Sequence, residues 1–108
     1  EFETLLKQAI GFAGNDTSHV IVLSIPDWGA TPYGATRDRT QVTREIDDYN
    51  ATNKRIAEKY KVHYIDITPG TREALQDLSL LTTDSLHPSA KEYSRWAKKL
   101  AEIIKQSL

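Results

Sequence analysis

The sequence predicts an α/β fold with a parallel sheet, because two short apolar segments flank one long amphipathic segment. The first apolar segment, VIVLSI at residues 20–25, is a continuous run rich in β-branched residues, which is typical of a strand buried on both faces. The second, VHYIDI at 62–67, is followed by a Pro-Gly pair that closes it. A strand, a helix and a second strand in this order form a right-handed crossover with parallel strands. We therefore expect three α/β/α layers, with helices on both faces of the sheet.

The helices are predicted from apolar residues that recur every three or four positions. The first helix would present Phe2, Leu5, Leu6, Ala9 and Ile10. The long helix between the strands, from Gln41 to Tyr60, carries a stripe made of Val42, Ile46, Tyr49, Asn53, Ile56 and Tyr60. A short helix is expected in TREALQDL at 71–78. The last helix would cover one sheet face with Tyr93, Trp96, Ala97, Leu100 and Ile104.

A long loop, PDWGATPYGATRDRT at residues 26–40, follows the first predicted strand. Long loops at this position often carry functional residues. Its two aromatic residues, Trp28 and Tyr33, can either line a substrate site or anchor the loop on the domain. Both interpretations remain open from the sequence, and we take the two side chains as candidate substrate-binding residues.

Composition narrows the classes of partner. The chain has 108 residues, 14 basic and 15 acidic side chains and a formal net charge of -1, so we expect neither nucleic acid nor an anionic membrane surface as a partner. The longest apolar run is too short to span a membrane. The chain has no cysteine, and neither His19 nor His63 has a second ligand at metal-binding spacing, so we expect no metal site. The composition indicates no particular cellular compartment.

Two features suggest that the chain supplies only part of a domain. It contains no methionine, even at position 1. Two strands are also too few for an open sheet that is covered by helices on both faces. We therefore expect residues 1–108 to form roughly the C-terminal half of a larger domain, with a missing N-terminal segment as its partner.

The segment TTDSLHPSAKEY at 82–93 places Asp84 three residues before His87, on a turn that leads into the last helix. A histidine acting as general base needs one ring nitrogen free and the other held by an acceptor, usually a carboxylate. This pair could meet that requirement within one turn. The alternative is ordinary turn chemistry, since Ser89 and Glu92 have the spacing of a capping box and Pro88 separates them from the turn.

The string DSLHPSAKEYSRWAKKL resembles the last conserved block of the SGNH, or GDSL-like, hydrolases, in which an Asp-x-x-His-Pro turn leads into a helix with aromatic residues. The segments VIVLSIPDWGATPYG and IDDYNATNKRIAEKYKVHYIDIT resemble the elements that precede that block. The resemblance implies a flavodoxin-like α/β/α fold and a serine esterase or lipase without metal or cofactor. It also implies that Asp84 is the acid of a Ser-His-Asp triad, that His87 is its general base, and that residues 1–108 are the C-terminal part of one hydrolase domain.

The chain departs from the family pattern at Ser85 and Glu92, where glycine is common. Neither the family's Gly-Asp-Ser nucleophile motif nor its oxyanion motif is recognisable, so we expect both upstream of this chain. The expected substrate is a small-molecule ester. The alternative function is a non-catalytic α/β interaction domain, or a degenerate hydrolase, in which Asp84 and His87 only shape the turn.

Overall fold

A computed structural model of the protein describes residues 1–107. The regular elements follow one another as α1 (Phe2–Phe12), β1 (Ile21–Leu23), α2 (Arg39–Lys59), β2 (His63–Ile65), α3 (Thr68–Thr71) and α4 (Ala90–Ser107). Short 3₁₀ helices lie in the connections, at Thr17–His19, Trp28–Ala30, Tyr33–Thr36, Arg72–Leu75 and Leu78–Leu80. None of the helices in this part of the chain is long and apolar enough to span a membrane.

The predicted parallel pair is present: Ile21 lies opposite His63, and Leu23 opposite Ile65. Both strands are shorter than the six-residue segments expected. After β1, the amide of Ser24 still donates to the carbonyl of Ile65 at 2.9 Å, and the amide of Ile25 donates to the Asn50 side chain at 2.8 Å. The three residues of β1 are half-buried, so the expectation of a strand buried on both faces is wrong for the described residues.

One apolar cluster lies between α1, α2 and one face of the sheet. Its buried members come from the two helices and from the residues just before each strand, and they are Leu6, Ala57, Val20 and Val62. Side chains alternate along a strand, so Leu23 and Ile65 point to the opposite face. α4 contacts β2 and the turn at Leu78–Leu80. The structure is compatible with an α/β fold, and the full three-layer arrangement stays a prediction.

Several helix predictions need correction. Leu5 in α1 and Tyr93 and Ile104 in α4 are 59%, 51% and 46% exposed, so these members of the expected apolar stripes are not buried. Tyr49 is 65% exposed and does not belong to the buried stripe of α2, because Asn50 is the residue that lies one helical turn after Ile46. The helix expected at 71–78 is not formed: the chain there runs from α3 into the 3₁₀ helices. Pro69 starts α3 earlier than expected, and the Asp77 side chain begins a new turn by accepting from the amide of Ser79 at 3.0 Å.

Candidate functional site

Residues 82–87 form a closed turn between the last 3₁₀ helix and α4. Leu81 and Pro88 pair in an antiparallel bridge at its base. Inside it, the amide of Thr82 donates to the carbonyl of His87 at 2.8 Å, and the amide of Ser85 donates to the carbonyl of Thr82 at 3.0 Å. Ser85 has φ +60°, a left-handed conformation that glycine adopts without strain, which explains why glycine suits this position.

The carboxylate of Asp84 is held by four donors from the same turn. Oδ1 accepts from the Thr82 hydroxyl at 2.5 Å and from the amides of Leu86 and His87 at 2.9 and 3.0 Å. Oδ2 contacts Nδ1 of His87, which is the contact expected from the sequence. The Thr82 hydroxyl, the His87 amide, the imidazole and the Leu86 amide together hold the pKa of Asp84 well below its ordinary value. Asp84 is therefore a carboxylate at neutral pH.

The imidazole of His87 faces solvent. Its side chain is 67% exposed, and Nε2 accepts no hydrogen bond from any residue between 1 and 107. Because Nδ1 contacts the carboxylate, Nε2 is the nitrogen that can take up a proton. The arrangement can therefore perform general-base chemistry.

A small cavity of about 40 Å³ adjoins the turn. Leu86 and Pro88, which flank His87 in sequence, form one side of it, and Trp28 lies among the other lining residues. Further walls come from segments that follow both strands, namely Pro26, Asp27, Thr31, Thr71, Ala74, Leu80, Leu81 and Glu92. The cavity thus joins the 26–40 loop to the Asp84–His87 turn.

The two candidate aromatic residues are placed differently. Trp28 lines the cavity, whereas Tyr33 does not and is 44% exposed. Their ring centroids are 5.9 Å apart in a tilted arrangement, and the Arg37 guanidinium lies 6.0 Å from the centre of the Tyr33 ring. The structure therefore brings Trp28, but not Tyr33, to the cavity wall.

The sequence model of the GDSL-like lipase/acylhydrolase family matches residues 1–102. The chain belongs to this family. No curated protein and no solved structure gives a significant match. Membership confirms the resemblance seen in the sequence and supports a general acylhydrolase function.

Asp27, which was not singled out in the sequence, anchors the loop that carries Trp28. Asp27 is 2% exposed. Its carboxylate accepts from the amide of Gly29 at 2.9 Å, from the Thr43 hydroxyl at 2.7 Å and from Nε of Arg72 at 2.9 Å. Arg72 also donates to Asp47 at 2.6 Å. Asp27 could have been identified from its position in the sequence, because it lies just past the carboxyl end of β1, where α/β proteins place functional groups.

The capping box that was the alternative interpretation at the start of α4 is not formed. The Ser89 hydroxyl donates to the carbonyl of Ser79, and the Ser89 amide donates to the carbonyl of Leu80, both at 2.8 Å. Glu92 is instead 2% exposed and lines the cavity. Its Oε1 accepts from Nε1 of Trp96 at 2.8 Å. Its Oε2 lies 3.2 Å from Nη1 of Arg95 but accepts no hydrogen bond, so this contact is electrostatic only.

Ser24 is engaged in a separate polar cluster at the ends of the two strands. Its hydroxyl donates to Asp66 at 3.0 Å and accepts from the amides of Ile67 and Thr68 at 2.7 and 3.1 Å. Asn50, which the sequence interpretation also missed, donates to the Thr68 hydroxyl at 2.9 Å. Buried and surrounded in this way, Ser24 joins the strand ends and is not presented to His87.

Proposed function

We propose that the protein is a serine ester hydrolase in which His87 is the general base and Asp84 orients it. One observation carries this proposal: the carboxylate contacts Nδ1 and leaves Nε2 open to solvent. That orientation is what a triad requires, because Nε2 must reach the nucleophile while Nδ1–H stays on the acid. The roles of both residues are inferences from this geometry and from family membership.

In the proposed reaction, Nε2 of His87 takes the proton of a serine hydroxyl as that oxygen attacks the ester carbonyl. The Asp84 carboxylate stabilises the resulting imidazolium. Nε2 then returns the proton to the leaving alkoxide, which departs as an alcohol and leaves an acyl-enzyme. A water molecule, deprotonated by the same nitrogen, attacks the acyl-enzyme and releases the acid, and the proton returns to the serine.

We infer that the nucleophile and the oxyanion donors belong to a segment N-terminal to residue 1. Within residues 1–107 no serine hydroxyl is hydrogen-bonded to His87, Ser24 is enclosed, and Ser85 lies on the same turn as the base. The half-buried residues of β1 support this inference, because a strand with a neighbour on each side would be more fully buried. The chain would then be the C-terminal part of one hydrolase domain.

The cavity favours a small-molecule ester with a short acyl chain. Most of its lining residues are apolar, and its small space of about 40 Å³ suits a short acyl group. Trp28 would form the wall against the acyl group. Tyr33, which is exposed beside Trp28, would contact the alcohol part of the ester.

The test is an ester assay on the protein expressed from its full reading frame, with acetate and octanoate esters of one chromogenic alcohol. We expect the acetate ester to be hydrolysed faster. His87→Ala should lower kcat by several orders of magnitude, on the order of 10⁵-fold by analogy with other triads. His19→Ala is a matched control, since His19 also follows an aspartate by three positions. Full activity in His87→Ala, or no hydrolysis by the wild type, would overturn the proposal.

A further inference from the structure

The amide, the carbonyl and the hydroxyl of Thr82 all form hydrogen bonds inside the Asp84–His87 turn. Its amide and its carbonyl close the turn through His87 and Ser85. Its hydroxyl donates to Oδ1 of Asp84 at 2.5 Å. The other two donors to Oδ1 are backbone amides, which almost any residue at those positions would supply. Within the described chain, Thr82 is therefore the only side chain that fixes Oδ1.

The consequence is geometric. Three donors on Oδ1 fix the plane of the carboxylate, so Oδ2 points at Nδ1 of His87 and has no freedom to turn away. Which imidazole nitrogen carries the proton depends on the bond made by the other one. A carboxylate that stays in place keeps the proton on Nδ1, and a loosened carboxylate allows it to move to Nε2. The Thr82 hydroxyl is also the largest single cause of the lowered pKa of Asp84.

We propose that Thr82 is a positioning residue, whose hydroxyl fixes the Asp84 carboxylate and thereby maintains His87 in the tautomer with a free Nε2. The proposal rests on the function proposed above, in which Nε2 must be the base. Thr82 would act through Asp84, without touching the substrate. A purely structural role, in which Thr82 only closes the turn, would leave the tautomer unchanged when the hydroxyl alone is removed.

The direct test is ¹⁵N NMR of the full-reading-frame protein labelled in histidine. Spectra are recorded at a pH at which the ¹⁵N shifts show a neutral His87 imidazole. We expect the wild type and Thr82→Ser to show mainly the Nδ1–H tautomer. Thr82→Val, which keeps the shape but loses the donor, should raise the ratio of Nε2–H to Nδ1–H by roughly 3- to 10-fold, the range expected for one hydrogen bond. Thr83→Val, at the exposed neighbouring position, should change nothing.

The kinetic arm separates this proposal from the proposed function. Thr82→Val should lower kcat for the acetate ester by about 10-fold with little change in KM, because a loosened Asp84 carboxylate both shifts the tautomer and stabilises the imidazolium less well. Thr82→Ser should retain the rate. A tautomer shift in a protein without esterase activity would support the positioning role of Thr82 and refute the proposed ester hydrolase function. An unchanged tautomer in Thr82→Val would refute the role of Thr82, whatever the activity. Thr82→Ala provides the same comparison if valine disturbs the turn.

Discussion

The chain contains two Asp-x-x-His turns, and they differ in almost everything except spacing. Asp16 and His19 precede β1, whereas Asp84 and His87 follow β2 and adjoin the cavity. In the first turn, Nε2 of His19 lies 3.6 Å from the Asp16 carboxylate, too far for a hydrogen bond. In the second, Nδ1 contacts the carboxylate directly.

The difference comes from what holds each carboxylate. Asp16 caps a 3₁₀ helix, and its Oδ1 accepts from the amide and the hydroxyl of Ser18. Among residues 1–107, no donor outside that short helix orients it towards the Nδ1 of His19. Asp84 accepts from residues on both sides, so its second oxygen is directed at the imidazole. Sequence spacing brings an acid near a base, but the backbone of the turn decides which nitrogen they share.

The largest expected difference between the two turns is catalytic. Asp84→Asn should lower kcat by about 10⁴-fold, because an amide favours the wrong imidazole tautomer, as in other triads. Asp16→Asn should leave kcat within about twofold, a change too small to reflect a lost catalytic contact. Steady-state kinetics on both full-reading-frame variants, with circular dichroism to confirm folding, would measure this. Equal losses of kcat in the two variants would show that the Asp84–His87 turn has no special catalytic role.

A smaller difference should appear on acidification. The pKa of each aspartate is lowered, in Asp84 first by the Thr82 hydroxyl and in Asp16 first by the Ser18 hydroxyl, and the shift in Asp84 is the larger. A lowered folded-state pKa means that the stabilisation is present above the unfolded value, near pH 4, and is lost as the pH falls through the folded value. Carboxyl ¹³C titration should therefore find Asp16 protonated before Asp84. The reverse order would contradict the hydrogen bonding described for the two turns.

The smallest effect concerns Ser85, the left-handed residue of the Asp84–His87 turn. Ser85→Gly should raise the free energy of unfolding by about 0.5 kcal/mol, because the relief of strain at φ +60° exceeds the added entropy of the unfolded chain. Ser18→Gly should have the opposite sign, since it removes the hydroxyl that donates to Asp16 at 2.6 Å. Urea denaturation of both variants measures the pair. A destabilised Ser85→Gly would show that the serine side chain itself supports the turn.

The order and pairing of the elements could be predicted from the sequence, but the lengths of the strands and the buried faces of the helices could be predicted only in part. The parallel pairing across α2 is confirmed, because the order of strand, helix and strand determines it. The strand lengths were wrong, since an apolar run does not reveal that a side chain such as Asn50 accepts from the amide of Ile25 just beyond the strand. The prediction that Tyr49 belongs to the buried stripe of α2 was wrong for a similar reason. Periodicity permits steps of three or four, and the contacts of Asn50 decide between them.

The sequence by itself determined the Asp84–His87 contact, because every donor and acceptor that forms it lies within residues 82–87. Only the tertiary structure revealed the network of Asp27, whose partners Thr43 and Arg72 lie 16 and 45 residues away. The same holds for the inward position of Glu92, where the local pattern indicated a capping box. Local hydrogen bonds depend on neighbouring residues and their allowed backbone angles, so a short string can specify them. Long-range ones depend on how the elements pack, which no short string contains.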